Sequence, residues 1–221
     1  MNSLIIGVKA VTLTPFAYHS LMVQNGTATL PELISDKAIA FGLASTLGML
    51  QASVALPVKN YRAHLGAMPW RTSIFTTDSP RLLPPLIRRL NLDAEGGIKK
   101  KVQDVAKKGN LKDFFQIQEV PEGQVFRGAL FGFNPFQHTG QKKLVIRIGL
   151  HRNGMVLLTL DEEVQRVRLN VATAALFGCA LSPPSDQSAN QAVVERYYLY
   201  GLQLSQEYSL KEALEVVKQW K

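Results

Sequence analysis

The sequence predicts an α+β protein: a ferredoxin-like core with a basic insertion and additional β-hairpins. Three observations predict it. A β-branched strand, Leu4 to Leu13, leads to a capped helix of small residues near Ser35 to Leu50. Glycine-bearing segments with hairpin spacing fill residues 114–160. A proline-broken, cation-rich stretch separates the two and matches neither. Helices interspersed with antiparallel hairpins point to an α+β sandwich rather than a doubly wound parallel sheet. A β-α-β-β-α-β order fits once the middle is set aside as an insertion. The chain, 1–221, reads as one domain with the basic insertion at about 79–113.

Each element has a local reason. LIIGVKAVTL is a strand by its β-branched content, and Pro15 ends it. Asn25-Gly26 marks a turn within 24–29. Ser35 and Asp36 are good helix caps, and Asp36 suits the positive end of the dipole. Ala38, Ala40, Gly42, Ala44 and Ser45 let that helix lie close on a sheet. The uncharged run Ala38 to Val58 has the length of a membrane span, but its polar residues, glycines and Pro57 favour a buried helix running into a loop. YRAHLGAMPWRTSIFTT, 61–77, reads as extended with a break at Gly66. Ile98 to Lys108 reads as a short basic helix closed by Gly109.

In the second half, Phe114–Val120 and Val125–Phe133 flank the turn PEGQ as a hairpin. Leu144–Leu150 and Met155–Leu160 form another around Asn153-Gly154, a strong hairpin signal. Thr159 and Glu162 match a capping box opening a helix to about Phe177. Ser182–Asn190 is a polar loop. Ser209-x-x-Glu212 caps a final helix with Leu210, Ala213, Leu214 and Val217 on one face.

Charge points to a partner. The 221 residues carry a formal net charge of +8 at 46% hydrophobic content, too apolar for disorder and basic enough to favour a polyanion. From Arg81 to Lys112 the nine basic residues are Arg81, Arg88, Arg89, Lys99, Lys100, Lys101, Lys107, Lys108 and Lys112. Against Asp93, Glu95 and Asp104 they leave +6, most of the charge of the chain. Such a segment either grips a phosphate backbone or forms a solvated lysine-rich face. Arg62, Trp70 and Arg71 set cations beside a ring that either stacks a splayed base or belongs to the core. Arg127, in FRGALFGF, sits among glycines that admit a ligand close to the backbone or mark a bulge. Arg147 is placed on the open face of the sheet. Tyr18-His19 follows the first strand, where a bound strand of RNA would pass; the histidine either acts as general acid or base in RNA cleavage or is a loop residue that binds or packs.

Several chemistries lack their residues. There is no phosphate-cradling G-x-x-x-x-G-K-[ST] or G-x-G-x-x-G pattern and no H-E-x-x-H. The four histidines, His19, His64, His138 and His151, are not at ligand spacing, and Cys179 is the lone cysteine. No metal, cofactor or catalytic residue is assigned. A reducing compartment, the cytoplasm, is expected, and no membrane association.

LIIGVKAVTLTPFAYHS, the helix LISDKAIAFGLASTLGML, the basic insertion and the hairpins FRGALFGFNP and VIRIGLHRNG together resemble the RAMP superfamily of CRISPR-associated proteins. The resemblance is to its "Cas five" group, in particular the short type IV or type I-D members. It implies a non-catalytic RNA-binding subunit of an effector ribonucleoprotein for antiviral defence. Such a subunit caps the 5′ handle of the guide RNA and contacts a neighbouring backbone subunit, with large subunits and target DNA as further partners in the complex. One branch of that superfamily is instead a metal-independent guide-RNA processing endoribonuclease, which is the alternative reading. A basic RNA-binding module outside CRISPR is the other. The residues assigned to RNA are Tyr18, His19, Arg62, Trp70, Arg71, Arg88, Arg89, Lys99, Lys100, Lys101, Lys107, Lys108, Arg127 and Arg147.

Overall fold

The run IIGVKAVT forms β1 (Ile5–Thr12), whose side chains alternate between half-buried and buried. In the computed structural model, which describes residues 3–18, 21–23, 26–49, 60–89, 114–149, 153–182 and 202–220, β1 is central to a seven-stranded antiparallel sheet. On one side it pairs with β9 (Val125–Phe131), Ile5 opposite Phe131 and Val11 opposite Val125. On the other it pairs with β11 (Gly154–Leu160), Val8 opposite Leu160 and Thr12 opposite Val156. Beyond β11 lies the edge strand β10 (Lys143–Ile148). Beyond β9 lie β5 (Arg71–Thr72), β6 (Phe75–Thr76) and β4 (Leu33–Ile34). The architecture is thus mixed α and β, with the sheet curled into a half-barrel.

Helix α1 (Asp36–Thr46) starts where its caps predict: the Ser35 hydroxyl accepts from the Lys37 amide. Its small residues do bring it close to the sheet. A β-carbon on Gly42 would stand 3.1 Å from Ile146 Cδ1, so a larger residue there requires Ile146 or the helix to give by a few tenths of an ångström. Beneath it lies a core in which Phe16, Trp70, Phe75, Phe126, Phe131, Ile39 and Leu43 are fully buried. Each such side chain contributes roughly 1.5–3 kcal/mol of transfer free energy.

Four local readings are corrected. Residues 61–67 are not extended but form α2 (Tyr61–Ala67), capped by the Asn60 side chain, which accepts from the Ala63 amide. The segments 114–120 and 125–133 are strands but not a hairpin. β8 (Phe114–Gln118) joins a separate four-stranded sheet with β2 (Leu21–Val23), β3 (Gly26–Ala28) and β7 (Leu86–Arg89), while β9 joins β1. The PEGQ turn carries the chain between sheets; Thr12 Oγ1 pins it by donating to the Pro121 carbonyl and accepting from the Gln124 amide. Thr159 and Glu162 do not cap a helix. β11 stays paired with β1 through Leu160, and the Asp161 amide donates to the Gly7 carbonyl, so tertiary pairing overrides the local signal. The helix that follows is only α4 (Val171–Leu176). Asn153-Gly154 is not itself the turn. β10 and β11 do pair, but Gly154 lies opposite Ile148 inside the ladder.

A second layer covers one end of the sheet. β12 (Arg166–Asn170) pairs with β13 (Leu204–Ser209), and α5 (Leu210–Val217) follows with the predicted capping box complete. Ala213, Leu214 and Val217 are its buried face. Asn170 Nδ2 donates to Asp36 Oδ1 at 2.8 Å and ties this layer to the start of α1. Between β9 and β10 stands one short helix, α3 (Pro135–Thr139), capped by Asn134. The stem strands β7 and β8 are paired, but residues 90–113, with the basic helix expected there, lie outside the described residues. So do 50–59 and the polar loop from 183 onward. Among the described residues no helix is long and apolar enough to cross a membrane.

Candidate nucleic-acid interface

Strand periodicity places alternate side chains of β10, β11, β1 and β9 on the face opposite α1. The ladder registers align them into rows. Lys143 lies opposite Thr159, Thr159 opposite Lys9, and Lys9 opposite Arg127. The next row is apolar: Val145, Leu157, Val11 and Val125. Arg147 opposite Met155 follows. Lys143, Val145 and Arg147 are exposed; Lys9, Val11, Met155, Leu157 and Thr159 are half-buried. The far end of the same face is closed, since a β-carbon on Gly7 would strike the Asp161 carbonyl and Val164.

Lys9, Lys143 and Arg147 form no ion pair with any described residue, whereas Arg127 does. Its Nε lies 3.0 Å from Asp161 Oδ2 and its Nη2 3.4 Å from Glu163 Oε2. No aromatic residue stands in these rows, so the face offers cations for phosphates but no platform for stacking bases. Beyond Arg127 the face runs into an open groove of about 570 Å³, where Arg81 and Arg166 stand with Gln124, Glu163 and Glu207. Gln124 is buried and organises the wall. Its Nε2 donates to Thr77 Oγ1 at 2.9 Å and to the Ser79 carbonyl, and its Oε1 accepts from Arg81 Nε at 3.2 Å.

The other sequence candidates are scattered. Arg147 and Arg127 lie on this face, and Arg62 is exposed on α2. Trp70 is only 1% exposed and packs on Phe133 at 5.6 Å, so it has no free face for a base. Arg71 is likewise committed: its guanidinium donates to the carbonyls of Leu65, Gly66, Met68, Trp70 and Trp220. Trp70 belongs to the core, and the half-buried Arg71 lies at its edge. The glycine of FRGAL at Gly128 makes room for the Phe75 ring, 2.5 Å from where a β-carbon would be, not for a ligand. Tyr18 packs edge-on against Phe16. Burial pushes its phenol above the ordinary range, opposed in part by the Gly149 backbone. Arg88 and Arg89 sit on β7 opposite Phe115 and Phe114. His19, Lys99, Lys100, Lys101, Lys107 and Lys108 lie outside the described residues. No group of histidines, cysteines and carboxylates among the described residues could hold a metal ion.

Lys9 and Lys143 were missed by motif reasoning. Their signal was present: Lys9 is the one charged residue in β1, and Lys143 and Arg147 are four apart on a strand, hence on one face.

No protein-family model matches the chain. No curated protein does either. Among solved structures it is similar to a chain of a type IV-B CRISPR complex, with TM-score 0.39 and 11% identity over 73% of this chain and 92% of that one. It is also similar to a chain of the type III-B Cmr-β complex bound to cognate target RNA and AMPPnP, with TM-score 0.41 and 12% identity over 86% of this chain and 73% of that one. Both neighbours are chains of CRISPR complexes.

Proposed function

We propose that the chain is a non-catalytic RNA-binding subunit of a CRISPR effector ribonucleoprotein, capping the 5′ handle of the guide RNA and contacting the neighbouring backbone subunit. The observation that carries the RNA-binding part is the set of cations Lys9, Lys143 and Arg147 on one sheet face, which form no ion pair with any described residue. The +6 segment from Arg81 to Lys112 adds to it; the strands on either side of residues 90–113, β7 and β8, pair with each other. The handle-capping role and the subunit partners rest on the family resemblance. The strand order supports the ferredoxin-like reading. Taking β5 and β6 as one broken strand, the order β11, β1, β9, β5/β6 is that of a β-α-β-β-α-β core whose second helix has shrunk to α3.

With phosphate contacts and no stacking residues, this face holds the RNA backbone without reading sequence. Any choice among handle sequences falls to the groove or the inserted segment. Replacing Lys9, Lys143 and Arg147 together by Glu should weaken binding of labelled repeat-derived RNA by about a hundredfold or more. It should also flatten the log–log salt dependence by about 2, the slope expected for three single-strand phosphate contacts. Unchanged affinity and slope would remove the face from the interface.

A further inference from the structure

Residues 77–81 follow β6 and line the groove beyond Arg127. Asp78, Ser79 and Arg81 are exposed there, yet one buried side chain holds the segment at three points. Gln124, 2% exposed, donates from Nε2 to Thr77 Oγ1 and to the Ser79 carbonyl, the latter at 2.6 Å, and its Oε1 accepts from Arg81 Nε. Gln124 is itself fixed by Thr12: its amide donates to Thr12 Oγ1 at 2.8 Å, and its carbonyl accepts from the Thr12 amide at 3.0 Å. A buried amide devoted to an exposed loop restrains polar groups that solvent alone would leave free to move.

Two of the restrained groups have no partner of their own. The terminal nitrogens of Arg81 meet no acceptor among the described residues, and the Asp78 carboxylate meets no donor among them. The other charges of the groove are taken. Arg127 is held by Asp161 and Glu163, and Arg166 by Glu207 at 3.1 Å. The lining sets three arginines against the carboxylates of Asp78, Glu163 and Glu207, so its charges balance. A balanced groove does not favour phosphate. It suits a neutral group that both donates and accepts hydrogen bonds, and its volume of about 570 Å³ lies in the range of small-ligand sites.

We propose that the groove is a base-reading subsite that takes guanine. The free end of Arg81 donates to O6 and N7, Asp78 accepts from N1–H and the N2 amine, and Gln124 is the positioning residue that presents both. This rests on reading the cation row as a phosphate track: Arg127 ends the row Lys143, Lys9, Arg127 and also lines the groove, so a chain with its phosphates on the row brings a base to it. Guanine alone sets two acceptors on one edge and two donors on the next, matching a guanidinium fork and a carboxylate. Adenine has no exocyclic oxygen, and cytosine and uracil lack the two-acceptor edge.

The test measures binding of the full chain to labelled oligouridines of one length, in which a single central position is U, A, C, G, inosine or 7-deazaguanosine. The G oligonucleotide should bind about tenfold more tightly than those with U, A or C, with the two analogues in between. Raising salt should weaken all of them and leave that ratio unchanged, because the phosphate contacts are common to the set. Asp78→Ala should make G and inosine equal, since inosine lacks the N2 amine. Arg81→Met should make G and 7-deazaguanosine equal. Gln124→Met should abolish the preference while oligouridine affinity stays within about twofold, a split that a merely structural role would not produce. Should Gln124→Met fail to fold, the exposed Asp78→Ala decides. Equal affinity for every oligonucleotide, or preference for another base, would overturn the proposal and leave the phosphate track standing. No binding of any oligonucleotide would remove the track and the subsite together.

Discussion

Arg71 on β5 and Arg147 on β10 belong to one sheet, at opposite sides of it. Arg147 stands exposed with no described ion-pair partner. Arg71 is surrounded by the carbonyl ends of α2 and the last turn after α5. The last carbonyls of a helix have no intrahelical partner, and a guanidinium fork can meet several at once. What separates the two cations is therefore the backbone that ends nearby and not the residues beside them in sequence. Arg71, inviting with Trp70 as a base-stacking site, is a helix-end clamp, while Lys143 and Arg147 of an alternating strand form no ion pair with a described residue.

Breaking the clamp should have the largest effect. Arg71→Ala strands five carbonyl contacts and should cost about 3–5 kcal/mol, read from the urea midpoint at constant m-value. The folded fraction should bind RNA as before. Weaker binding at unchanged stability would erase the distinction drawn here. Next comes a helix start in place of a helix end. Ser209→Ala removes half the capping box of α5 and should cost about 1 kcal/mol. The Ser209 amide and hydroxyl hold the Glu212 carboxyl below its ordinary range. That contribution is present above the unfolded carboxylate pKa and is lost as pH falls through the lower folded value. The variant should accordingly lose less stability between neutral and acid pH than the parent, measured by denaturation at several pH values. The smallest effect concerns the paired cation of the open face. Glu163→Gln loosens Arg127 from one of its two carboxylates and should raise RNA affinity about two- to threefold, with stability nearly unchanged. A fall in affinity would instead assign Glu163 itself to the RNA.

Elements with their own local cause were legible in the sequence. β1 carries its alternation, α1 its Ser35 cap and α5 its capping box within a few residues. What was not legible depends on partners far away. Thr159 and Glu162 spell a capping box, but β1 claims Thr159 through Lys9, 150 positions earlier. β8 looks like the mate of β9, yet it pairs with β3 in parallel, which local pattern does not encode. The site followed the same rule. Arg147 could be placed from strand alternation alone, whereas Trp70 is claimed by Phe133 and Arg71 by the carbonyls ending α2 together with that of Trp220, 149 positions away.

The central position of β1 sets a schedule for synthesis. Its partners lie at residues 125–131 and 156–160, synthesised well after it. At about 5–20 residues per second, a ribosome leaves it without its second neighbour for roughly 7–30 s. During that time IIGVKAVT is a nascent segment of high β-propensity, the kind that recruits other nascent chains. Lys9, its one charge, interrupts the apolar run. Replacing Lys9 by Val should therefore divert newly made protein into inclusion bodies, even where the finished molecule tolerates the change. The lysine would guard the strand during translation and only afterwards become available to a ligand.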